Sequence, residues 1–130
     1  MSISDATQDF DDWLRATYAA TGGFTALAVL VEITASDAVA VASTFFHVIG
    51  DEARWTDVRK LFATAPGGWD GVVFFPQSAK AGGPLEEPLA RIELRRVEQM
   101  IHDDRLALNE GAFFDRKGRR MRIDEDETAQ

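Results

Sequence analysis

Between Phe24 and Gly50 the chain carries an apolar run, FTALAVLVEI, and shortly after it SDAVAVASTFFHVIG. Leu27 to Ile33 is short, rich in valine and isoleucine, and apolar on both faces, so it reads as a strand buried in the centre of a sheet. Such a strand demands a globular core, and a chain of 130 residues can build one. A domain of that size buries roughly two-thirds of its unfolded surface. Cysteine is absent, which removes disulfides, thiolate zinc sites, Fe–S clusters and cysteine nucleophiles and fits a reducing compartment.

The flanking segments supply the cover. Ser4 to about Thr21 reads as a helix: Ser4 suits its N-cap, Phe10, Trp13, Leu14 and Tyr18 share a face, and Gly22-Gly23 ends it. Ser36 to Gly50 alternates like a strand, yet Ser36-Asp37 makes a cap with an acidic first turn. Ser36, Ala40, Ser43, Thr44 and His47 then fall on one small or polar face, which predicts a helix. Asp51 caps a third helix to about Ala65, with Trp55, Val58, Leu61 and Phe62 as its buried stripe. GVVFF, from Gly71 to Phe75, is a second buried strand stopped by Pro76.

After a long connection over residues 76–87, Pro88 opens a fourth helix whose core face is Ala90, Leu94, Val97 and Ile101. Residues 105–108 suit a short strand. Ala112-Phe113-Phe114 and Arg119 to Ile123 then flank Asp115-Arg116-Lys117-Gly118 as a hairpin. The expected fold is α+β in a single domain, with a small mixed sheet of about four strands covered by about four helices. Two helices between the first two strands would permit a parallel pair. The acidic tail from Asp124 is expected to be flexible.

Charge is segregated. The net charge is −8, yet residues 105–122 hold Arg105, Arg116, Lys117, Arg119, Arg120 and Arg122 against Glu110 and Asp115. Asp5, Asp9, Asp11 and Asp12 crowd the opposite end, which is unlike a signal peptide. Glu32 and Asp37 interrupt the longest apolar tract well short of the roughly eighteen residues a membrane span needs. The expectation is a soluble, cytoplasmic protein without membrane contact, and its overall charge disfavours nucleic acid.

No constellation assembles a nucleophile, a metal cage or a cofactor loop. The only histidines are His47 and His102, and His102-Asp103 resembles the signature of metal-dependent phosphohydrolases of the HD type. Those proteins are helical throughout, whereas GVVFF and the hairpin call for strands. No serine sits in G-x-S-x-G, and neither phosphate-cradling glycine pattern occurs. The expectation is therefore no catalytic residue, no cofactor and no metal.

What remains is surface. Arg91, Arg95, Glu98 and His102 form an outer stripe on the fourth helix. Arg116, Arg120 and Arg122 make the hairpin basic, with Phe113 and Phe114 nearby. Such a hairpin can grip phosphates and stack bases, guard an edge strand, or attract the acidic ends of the chain. The favoured reading is a non-enzymatic domain that associates with itself or a protein partner through Arg91, Arg95, Arg116, Arg120 and Arg122. The alternative is a small-molecule site near Trp69, Asp70 and the 76–87 loop, using His47, Lys80 or His102.

Overall fold

The computed structural model describes residues 8–35, 37–65 and 67–123. The Ser4 and Ser36 caps, Pro66 and the tail from Asp124 lie outside them. The elements run α1 (Gln8–Thr21), β1 (Phe24–Ile33), β2 (Ala38–Val48), α2 (Trp55–Lys60), β3 (Gly71–Gln77), α3 (Glu87–Asp103), a 3₁₀ helix (Arg105–Glu110) and β4 (Ala112–Asp115). The fold is α+β, built on one four-stranded sheet in the order β2-β1-β3-β4.

The apolar run dictates this layering. Every residue of β1 from Phe24 to Val31 is buried, because successive side chains serve opposite faces. Phe24, Ala26, Ala28 and Leu30 join Phe10 and Leu14 of α1 and Trp55 and Val58 of α2. Leu27, Val29 and Val31 join Val97 and Ile101 of α3 and Leu108 of the 3₁₀ helix. α1 and α2 therefore cover one face of the sheet, and α3 with the 3₁₀ helix covers the other.

Every strand pair is antiparallel, so the parallel pairing does not occur. The segment expected to be the second helix is β2. Asp37 does not open a helix but closes a turn: its N–H donates to Thr34 Oγ1 at 2.9 Å, and Thr34 N–H donates to the Asp37 carbonyl at 2.8 Å. β1 and β2 are thus one hairpin. Since β2 and β3 flank β1 and run the same way, the connection through α2 crosses over the face of β1.

Other expectations shift by less. α2 starts at Trp55 rather than at an Asp51 cap, with Arg54 N–H donating to Asp57 Oδ2 at 3.1 Å. β3 continues through Pro76, which pairs opposite Ala26. There β4 no longer accompanies it, having ended at the Phe74–Ala112 pair, so a residue without an N–H is tolerated. Residues 105–108 belong to the 3₁₀ helix and not to a strand. The returning arm of the hairpin makes only an isolated bridge, Phe114 to Arg120.

Candidate functional site

The two sheet edges differ. Beyond β4, the arm from Arg119 to Met121 folds back, with Met121 N–H donating to Phe113 O at 2.7 Å. α1 then clasps this arm. Asp9 Oδ2 accepts from Arg120 N–H at 2.7 Å, and Phe10 N–H donates to Gly118 O at 3.1 Å. The acids of the first turn of α1 serve as tertiary caps, since Asp11 Oδ1 likewise accepts from Trp55 N–H at 2.7 Å.

β2 is the other edge, and β1 is its one strand partner among the described residues. Its sequence AVAVASTFFHV contains no Asp, Glu, Lys, Arg, Gly or Pro over eleven residues. Val39, Ala40, Thr44 and His47 are exposed, and Phe45 and Phe46 are half-buried. A bulge interrupts its ladder with β1: Leu30 pairs with Ala42, the next residue Val31 pairs with Ala40, and Val41 is the extra residue.

α3 runs beside this edge, and the stripe read from its sequence faces the space between them. Arg91, Arg95 and Glu98 line a groove with Ser43, Thr44 and Phe45. Arg95, Glu98 and His102 continue it along Asp37 to Ala40. Ser43 Oγ donates to Glu98 Oε2 across the groove. Arg91 pairs with Glu87 at 2.5 Å and places its guanidinium 5.8 Å from the centre of the Phe45 ring. Arg95 makes no ion pair among the described residues.

The hairpin cations are largely engaged by the chain itself. Arg116 lies over Trp69 at 4.6 Å, Arg120 lies over Phe114 at 5.4 Å, and Arg119 pairs with Asp115 at 2.6 Å. Phe113 and Phe114 are buried, so they cannot stack on bases as an exposed hairpin would require. Arg122 is exposed beside them.

The residues assigned from the sequence to one pocket do not meet. Trp69 is buried beneath Arg116. Asp70 turns away to accept from Ile33 N–H at 2.7 Å, fixing the end of β1. Lys80 is exposed on its loop, and His102 lies in the β2–α3 groove. His47 stands at the far end of β2, beside exposed Ile49 and Leu61. Among the described residues, no group of three His, Asp or Glu side chains is placed to hold a metal ion. Nor is any described helix long and apolar enough to cross a membrane.

His47 does have a structural partner. Leu85 N–H donates to the hydroxyl of buried Thr25 at 2.8 Å, and that hydroxyl lies 2.9 Å from His47 Nδ1. Thr25 Oγ1 thereby ties the 76–87 connection to β1 and β2. Thr25→Val keeps the shape and deletes the oxygen, stranding the Leu85 amide. A loss of about 1–3 kcal/mol in urea denaturation is expected, with faster exchange of the Leu85 amide proton. Unchanged exchange at Leu85 would show that this anchor is not needed.

A scan against protein-family models finds no match, and searches of curated proteins and of solved structures find none either.

Proposed function

We propose that this chain is a non-enzymatic association domain whose partner is a second copy of itself, joined edge to edge through β2. The supporting observation is the composition of that edge: eleven residues without one charge, glycine or proline. A long open edge presents unpaired N–H and C=O groups, and proteins that must avoid pairing block such edges with charges, prolines or cover. Among the described residues the bulge at Val41 is the one interruption of the strand, and it leaves Ala42 to Val48 in regular register with β1.

Self-pairing also suits the surroundings of the strand. A two-fold axis near Ser43 sets one half of β2 against the other half of its copy, so a strand without charge meets no like-charge repulsion. The flanking groove has Arg91, paired with Glu87, and Arg95 at its Phe45 end and Asp37 at its Ala38 end. Antiparallel pairing centred near Ser43 sets the basic end of one copy beside the acidic end of the other. Exposed Val39 and Ile49 would also lose water contact.

The test is sedimentation velocity on the wild type and on Thr44→Lys and Ala40→Lys. Both sites are exposed, so the folded monomer should tolerate either lysine. The wild type should sediment as a dimer. The lysines should raise its dissociation constant about a hundredfold or more with circular dichroism unchanged, Thr44→Lys by setting like charges close across the axis and Ala40→Lys by burying a charge in the uncharged seam. A monomeric wild type, or lysine variants that stay dimeric, would overturn the reading.

A further inference from the structure

On the α1/α2 side of the sheet, sharing no residue with the β2–α3 groove, lies a second cavity of about 520 Å³. Its cations are Arg59, Lys60 and Arg116, its floor is Phe62 and Trp69, and Thr56 stands at its rim. Among the described residues no Asp or Glu lines it. None of the three cations forms an ion pair among the described residues. Against a net charge of −8 the concentration is unexpected, because unpaired cations would gain from turning toward the chain's many acids.

Local structure accounts for only two of them. Arg59 and Lys60 end α2, where cations oppose the negative end of the helix dipole. Arg116 comes from the hairpin, and two indoles hold it in place. Its carbonyl accepts from Trp55 Nε1 at 3.2 Å, and its guanidinium lies 4.6 Å from the Trp69 ring centre. Stacking occupies one face of the guanidinium and leaves its in-plane N–H donors available. An arginine already fixed in place gives up little side-chain freedom when an anion arrives.

The geometry points to an anion site in which Arg59, Lys60 and Arg116 bind the phosphate group of a small phosphorylated molecule. A phosphate dianion matches the ligand set. The Arg116 fork can take two of its oxygens, while Arg59 and Lys60 neutralise the remaining charge. The neutral hydroxyl of Thr56 adds a donor at the rim. Free phosphate and a nucleotide share this chemistry and differ in what the rest of the cavity must hold.

The experiment is a titration of the full chain with inorganic phosphate, and separately with AMP, at constant ionic strength and followed by ¹H–¹⁵N NMR. Saturable shifts are expected at the Trp69 indole N–H and at the amides of residues 59–63. Arg59→Gln and Lys60→Gln, on an exposed helix end, should each weaken binding about tenfold without unfolding the chain. Arg116→Gln should do at least as much, whereas Arg96→Gln on α3 should change nothing. Tighter binding of AMP would assign the site to a nucleotide, and equal binding would assign it to the phosphate group alone; either upholds it. Shifts that rise linearly and match those from chloride would overturn the site. So would an Arg96→Gln effect as large as that of Arg59→Gln.

Discussion

Phe10→Ala should cost about 3–5 kcal/mol, because the cavity it leaves sits where four aromatic rings converge. Phe10 is fully buried, with ring centroids 5.7 Å from Trp13, 5.4 Å from Trp55, 5.2 Å from Phe74 and 5.5 Å from Phe114. These partners come from α1, α2, β3 and β4, so one side chain joins the helical cover to both the centre and the edge of the sheet. Rings fixed by four elements cannot collapse cheaply into the void. Phe10→Leu, which keeps most of the apolar volume, should lose about 1.5 kcal/mol or less. Urea denaturation compares the two, and hydrogen exchange locates the damage: α1 and the hairpin should lose protection before β1. Equal losses in the two variants would mean that the cluster repacks freely around position 10.

The convergence at Phe10 was visible in the sequence only as one face of a helix. Periodicity identifies which residues turn inward but not what they meet. It succeeded along α3 but not at the end of α2, which stops at Lys60 and leaves Leu61 of the expected buried stripe exposed. The α3 face of Ala90, Val97 and Ile101 is buried as expected, with Leu94 packed beside it. It failed at β2 for a specific reason. The bulge at Val41 shifts the phase, so Ala38 and Ala40 lie on the α3 side before it, and Ser43, Phe45 and His47 after it. An alternation with its phase broken in the middle imitates a helical spacing, and Asp37, a turn residue here, imitates a cap. The parallel-pair expectation fell with that helix.

The same error hid the site. Helical spacing shows Arg91, Arg95, Glu98 and His102 as one stripe but not the strand they line, because the spacing of that strand predicts a helix. Trp69 and Arg116 were each singled out, and for unrelated reasons. A cation stacked on an indole far away in the chain leaves no local pattern. Arg59 and Lys60, exposed at the end of α2, carry no sequence signal that would join them to Arg116. Asp9 and Asp11 are legible in the sequence only as part of an acidic end, while their bonds to Arg120 and Trp55 depend wholly on tertiary placement.

The hairpin turn is where sequence and packing agree most closely, and Gly118→Ala separates their contributions. Gly118 has φ +81°, so any side chain there adopts a left-handed conformation costing about 1–2 kcal/mol. A Cβ at this position would also stand 2.8 Å from Cγ of Trp55, whose own N–H is bonded to Arg116 O. Trp55 is held by Phe10 and Phe62 and cannot withdraw, which adds about 1–3 kcal/mol of overpacking. Gly22 provides the comparison, with φ +72° and open space where its Cβ would be. Gly22→Ala should therefore show the backbone cost alone, and Gly118→Ala a fall in melting temperature on the order of 10 °C. Because the contact displaces Trp55, Gly118→Ala should also alter the near-ultraviolet circular dichroism, a signal Gly22→Ala leaves intact. Equal losses in the two variants would show that the turn conformation alone requires glycine at 118, and that the indole above it yields.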